Sequence, residues 1–307
     1  MLTPEQLAVA VRANMAYRVG VADWPILASK IDPHSLAGSA NAFAQRVADF
    51  QAAHPPLVVD GAMGPKTQAS VRGVAWTPPL GQPRIIAGGK DVPAPGLHVV
   101  AWSDPGGLSF KGEPGWSPRG AAKVDLIVLH HDGARTSHGC YQTLLARDYA
   151  VQFMLDAPDA RGEVVIYQAL DAGLAIAYHA GPVNARSVGV EICNPVDLAL
   201  DDPKRPRPRV PVGWPQFGDP KAIRLGFYPE QVVACRRLVD VLCDAFGVPR
   251  ALPGKNGVVA PTKDTRVAAG IFKGVCAHAQ ISSQKWDPCG AATQLWPGMI
   301  ANGYVVS

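Results

Sequence analysis

The sequence predicts an α/β fold, a central mixed sheet flanked by helices, preceded by a small helical domain. Three observations carry that prediction. From about residue 121 onward, apolar runs of strand length alternate with helical patterns, as in a sheet packed by helices. Residues 1–75 are rich in helical signals. Between them, 76–120 holds Pro78, Pro79, Pro83, Pro93, Pro95, Pro105, Pro114 and Pro118 with many glycines, which reads as a linker merging into loops of the second domain, with short strands such as Leu97–Trp102 within it.

The elements follow in order. Thr3 stands as an N-cap, Pro4 at the first helical position and Gln6 closes a capping box, so the chain opens on a helix. Phe43, Val47 and Phe50 form a helical stripe, and Gly64-Pro65 places a proline at a later helix start. In the second region Val124–His130 is a nearly continuous apolar run and reads as a buried strand. Glu163–Leu170, Ser187–Cys193 and Val275–His278 also read as strands, and Gln142–Met154 as a helix running into a strand. Pro229–Phe246 is the clearest helix. Val232, Cys235, Leu238, Val239, Leu242 and Phe246 share one face, and Gly247 sits at its C-cap. Residues 196–227 read as a long surface loop, with Lys204–Arg209 as a solvated basic run, and Ala291–Ala301 as a closing helix.

Composition narrows the class. The 307 residues are 48% hydrophobic and 18% charged, as in an ordinary soluble globular protein. The 31 glycines and 29 prolines favour loops over long helices. A net charge of +4 is only weakly basic, and no Lys/Arg block concentrates it against nucleic acid. The N-terminus lacks the charged and apolar regions of a secretory signal, and no stretch is long enough to span a membrane. Synthesis in the cytoplasm as a soluble monomer is expected. The six cysteines form no CxxC pair, which excludes zinc-ribbon and thioredoxin-like motifs. Cys276 and Cys289 flank one chemically rich tract and could meet in space.

That tract runs from His278 to Lys285-Trp286-Asp287-Pro288. With His130, at the end of its apolar run, it offers two imidazoles and a carboxylate, which suit zinc with a position left for water. His131 points to the opposite face of a strand from His130 and is assigned a supporting role. Glu191 lies in an apolar strand, where a carboxylate is costly unless paired or functional. Burial raises such a group's pKa and nearby cations lower it, so it is a candidate base. Lys285 lies two residues before Asp287 and is placed to stabilise an oxyanion. A surface Lys–Asp pair and a solvent-facing Glu191 are the plain alternatives.

The tract and its partners resemble the zinc-dependent N-acetylmuramoyl-L-alanine amidase family, related to peptidoglycan recognition proteins. Ile127-Val-Leu-His-His131 is similar to the first ligand strand, and Tyr178-His-Ala-Gly181 to a Trp-His-Ala-Gly segment. Ser187–Glu191 is similar to the strand carrying the acidic residue, and His278 through Pro288 to the remaining ligands with the intervening lysine. The resemblance implies Zn2+ held by His130, His278 and Asp287, Glu191 as general base and Lys285 as oxyanion stabiliser. It places the catalytic domain at 121–307. Val47–Gln51, Val59-Asp-Gly61, Gly64 and Thr67 resemble a small three-helix peptidoglycan-binding domain, placed at 1–75.

The expected function is hydrolysis of the amide between N-acetylmuramic acid and L-alanine in the cell wall, with peptidoglycan as partner. A non-catalytic peptidoglycan-binding protein and a stem-peptide endopeptidase are the rivals. Release to the wall through a holin or a secretion system is the expected delivery.

Overall fold

The computed structural model describes residues 2–20, 24–31, 39–54, 57, 59, 61–63, 65–72, 83–211 and 223–307. The chain divides into two compact units, Met1–Pro79 and Leu80–Ser307.

The first unit is helical, with α1 (Pro4–Gly20), α2 (Trp24–Ile31), α3 (Ala40–Ala53) and α4 (Pro65–Arg72). Among the described residues four helices stand where three were expected, because the short α2 has only two turns in which to show a period. The capping box forms: the Thr3 N–H donates to Gln6 Oε1 at 2.8 Å and the Gln6 N–H to Thr3 Oγ1 at 3.3 Å. Leu27, Ala28, Phe43, Val47 and Met63 make a small apolar cluster. Around it, two buried amides hold the segment 61–63. Asn14 donates to Gly61 O at 2.9 Å and accepts from the Met63 N–H at 2.7 Å. Gln51 accepts from the Gly61 N–H at 2.8 Å and donates to Ala62 O at 3.0 Å. Asp60 and Gly64 of the expected binding motif lie outside the described residues.

In the second unit a six-stranded sheet is built from β1 (His98–Ala101), β2 (Leu126–His131), β3 (Phe153–Leu155), β4 (Val165–Gln168), β5 (Ser187–Ile192) and β6 (Gly274–Ala277). Their order is β6-β2-β5-β3-β4-β1. All neighbours are parallel except β3 and β4, so the sheet is mixed as predicted. On one face Ile127, Leu129, Val188, Val190, Val275 and Ala277 pack with Cys235, Leu238, Val239 and Leu242 of α6 (Pro229–Phe246). The α6 stripe and its left-handed C-cap at Gly247 match the sequence pattern. On the other face Leu126, Val128 and Cys276 form a separate cluster with Val183, Phe272 and Ile281. That face bears α5 (Ser137–Leu145) near the strand ends.

Three expectations are corrected. The stretch 76–120 is not a linker over its described part: β1 pairs in register with β4, and residues 83–120 belong to the second unit. Most of its described prolines and glycines sit in turns and bends around short strands, which leaves each strand too short to show a clear period. The 196–227 segment is not wholly a surface loop, since Arg209–Pro211 pairs with Ile223–Leu225. Within the basic run, Arg207 is buried rather than solvated. Its guanidinium donates to Asn194 Oδ1, Pro195 O, Leu200 O and Asp201 Oδ1, which offsets its desolvation. The closing segment forms a wide π-turn at Ala291–Leu295 before a short helix at Trp296–Ile300.

Gly61 has φ +73°, and a Cβ there would lie 2.5 Å from Leu2 Cδ1 and 2.8 Å from Ala44 O. Gly61→Ala is therefore expected to destabilise the helical unit by about 2 kcal/mol, from backbone strain and overpacking together. Urea unfolding followed by circular dichroism measures this, and an unchanged midpoint would refute the strain.

Candidate functional site

Successive side chains on a strand alternate between its faces. In β2, Ile127 and Leu129 face α6, so Leu126, Val128 and His130 face the other way. The same parity puts Glu191 of β5 on His130's side, and the register makes the two direct neighbours. β6 lies on the opposite side of β2, and His278 follows its last residue with the parity of Cys276. Three chemically able side chains thus emerge on one face, at the C-terminal ends of three adjacent parallel strands. His131 turns to the α6 face, as expected, with its Nε2 2.6 Å from Asn194 O and its ring 4.6 Å from that of Phe227.

Asp287 completes the group. The Ala279 N–H donates to Asp287 O at 2.9 Å, which folds the segment after His278 back on itself. His130 Nδ1 and His278 Nδ1 lie 2.9 Å apart, and Asp287 Oδ2 is 3.3 Å from the first and 3.2 Å from the second. All three residues are buried. Burial, with the His278 charge beside it, lowers the His130 pKa to about 4, so its imidazole is neutral near pH 7. Burial by itself would raise the Asp287 pKa. The two histidines outweigh it and hold the carboxyl well below the usual range.

This donor set fits zinc. Bonds of about 2.0–2.2 Å to a tetrahedral ion place ligand atoms about 3.3–3.5 Å apart, close to the triangle observed. A neutral His130 imidazole and an ionised Asp287 carboxylate are the protonation states that ligation requires. Two nitrogens meeting with a carboxylate away from water also lack donors for all their lone pairs, which a cation would relieve.

Glu191 is buried, and among the described residues its Oε2 has no hydrogen-bond partner. Burial pushes its pKa well above the ordinary value, and the charges of Asp132 and Asp287 add to this, while Lys285 opposes. A divalent cation beside it would act in the same direction as Lys285 and favour the carboxylate. Lys285 is exposed, on the irregular segment before Asp287, and lines the same cavity. The cavity measures about 860 Å³, and its wall includes Tyr149, Tyr178, Arg147 and Lys263.

His179 is a part of the site that the sequence left without a role. Its Nδ1 lies 2.8 Å from His130 Nε2, and its Nε2 lies 3.1 Å from Ser187 Oγ. It therefore fixes the ring of His130 from behind, as partners of ligating histidines do. Gly189 makes room for it: a Cβ there would fall 2.8 Å from His179 Nδ1 and 2.7 Å from Val151 Cγ2. A glycine inside an apolar strand signals such a close approach. Cys276 and Cys289, like the other four cysteines, are buried free thiols.

A family model described as N-acetylmuramoyl-L-alanine amidase matches residues 120–290. No curated protein matches the chain. Among solved structures, the chain is similar to the N-acetylmuramyl-L-alanine amidase AmiD from E. coli, in complex with anhydro-N-acetylmuramic acid-L-Ala-D-gamma-Glu-L-Lys. The identity is 18% over 61% of this chain and 60% of that chain, with a TM-score of 0.39. For AMPDH3 from Pseudomonas aeruginosa, in complex with anhydromuramic pentapeptide, the values are 16%, 59%, 60% and 0.38. For the endolysin N-acetylmuramoyl-L-alanine amidase LysCS from Clostridium intestinale they are 14%, 69%, 97% and 0.37. This chain thus spans about 60% of the length of the first two. The family match covers more than half of the sequence and includes His130, Glu191, His278, Lys285 and Asp287, and the chain belongs to the N-acetylmuramoyl-L-alanine amidase family.

Proposed function

We propose that the protein is a peptidoglycan hydrolase that cleaves the amide between N-acetylmuramic acid and the L-alanine of the stem peptide, with Zn2+ held by His130, His278 and Asp287. The convergence of those three ligand atoms, with Glu191 as the register neighbour of His130, carries this function. A zinc ion there would supply Lewis acidity and a nucleophilic water at neutral pH.

The chain's own residues do the rest. Glu191 accepts the proton of the attacking water and returns it to the leaving amine of L-alanine. Its buried carboxylate, with an unpartnered oxygen, is suited to hold that proton between the two steps. Lys285, exposed on the cavity wall, donates to the oxyanion that develops on the lactyl carbonyl. His179 keeps the His130 ring oriented through the reaction. Tyr149 and Tyr178, each partly exposed on the cavity wall, offer apolar faces to the substrate. The helical unit would bind the wall and raise the local substrate concentration.

Digestion of purified sacculi, with new amino termini counted and products weighed by mass spectrometry, tests the reaction. Free stem peptides beginning with L-alanine are expected. Intact glycan–peptide linkages with cuts inside the stem would indicate an endopeptidase, and no release from zinc-loaded protein would indicate a binding protein alone. Chelation should abolish release and leave wall binding intact.

Glu191→Gln should lower kcat about 100-fold or more with zinc content unchanged. Loss of zinc from this variant would instead make Glu191 a ligand. Gly189→Ala, which displaces His179, should weaken zinc affinity about tenfold. Competition with a chromophoric chelator reads that change, and an unaltered affinity would remove His179 from the support of His130.

A further inference from the structure

The strand parity that gathers the amidase residues continues one step further and gathers a second group. Asp132 lies two residues beyond His130, and Cys193 two residues beyond Glu191, so both extend the same face of the sheet. Cys140 of α5 closes over them. Both thiols are buried, at 1% and 0% exposure. The two Sγ atoms and a carboxylate oxygen of Asp132 all lie within 4.8 Å of one another.

The Cys140 and Cys193 thiols hydrogen-bond to the Asp132 carboxylate and to each other, so all three donor atoms turn toward one point. Asp132 Oδ1 accepts from the Ala134 N–H at 2.9 Å. Its Oδ2 is buried. A buried carboxylate beside two thiols is satisfied either by their protons or by a cation that replaces those protons. Asp132 and Cys140 line the cavity that also holds His130 and Glu191, so an ion can enter from there. None of the three is needed to bind zinc at the first centre or to move protons in amide hydrolysis.

We propose that Asp132, Cys140 and Cys193 form a second metal site, for a thiophilic divalent cation such as zinc or cadmium. Two thiolates select such ions over magnesium or calcium. Tetrahedral bonds of about 2.3 Å to sulfur place ligand atoms about 3.8 Å apart, so only a small inward shift of the side chains is required. Two thiol protons leave to solvent as the ion binds. The fourth position stays open toward the cavity. The ion would tie β2, β5 and α5 together beside Glu191, and the site shares no ligand with the first centre.

The test uses the reduced full-length protein loaded with one equivalent of zinc and titrated with cadmium. Metal content is measured after gel filtration, together with the ultraviolet charge-transfer band of cadmium bound to thiolate. Two ions per chain and a strong thiolate band are expected. Cadmium that merely exchanges into the His130–His278–Asp287 centre gives no such band. The double variant Cys140→Ser/Cys193→Ser should keep one ion and lose the band, while Cys235→Ser should keep both. Should the double variant fail to fold, Asp132→Asn, which is isosteric, should weaken the second ion by about tenfold. One ion and no band in the wild type would overturn the site, as would a band that survives loss of both thiols. Because the readout is stoichiometry and absorption, it stands or falls independently of amidase activity.

Discussion

Everything in the second unit is arranged around the removal of one carboxylate and two imidazoles from water together. Each alone would cost several kcal/mol or change its protonation to avoid the cost. Together, His130, His278 and Asp287 compensate one another only within a narrow geometry. The sheet supplies that geometry. A central parallel strand flanked by two others brings three strand ends to one place, and the alternation of faces decides which residues arrive. The apolar residues between them fill the opposite face against α6 and fix the strands' register. Moving β6 by one residue against β2 would send His278 to the α6 side and leave a buried charge without partners.

Much of this arrangement was legible in the sequence, because strand signals and metal-ligand residues coincide. Val124–His130 and Ser187–Cys193 are apolar enough to be read as buried strands, and His130 and Glu191 stand out within or beside them for the same reason. The structure brings together the five residues singled out as the site, with Lys285 on an irregular segment rather than a strand. What escaped was of two kinds. β1 was read as a short strand at Leu97–Trp102, but its place in the sheet was hidden because four residues between proline-rich turns show too little period. His179 and the Asp132–Cys140–Cys193 group were hidden because their roles depend on residues far away in sequence, and Arg207 because its acceptors are gathered by an irregular loop that shows no period. Gly189 was the one local trace of His179, a gap in an apolar strand whose meaning requires knowing what fills it.

The helical unit depends on polar contacts to a degree its size explains. Its apolar cluster is small, and small domains bury too little surface for hydrophobicity alone to define one structure. The side-chain amides of Asn14 and Gln51 therefore fix the segment 61–63 by satisfying its backbone groups. These contacts add specificity as much as stability, since a buried amide tolerates few alternative partners.

The segment after His278 has a further consequence. The Ala279–Asp287 hydrogen bond closes it at the base, so the residues between form a loop whose ends are pinned by the fold. Asp287 sits at the pinned end and Lys285 in the free part. Variation at residues 282–284, which line the cavity, can thus reshape its wall while the Ala279–Asp287 hydrogen bond holds the carboxylate in place. The segment thus divides into a pinned carboxylate and a cavity-facing run beside it, within ten consecutive residues.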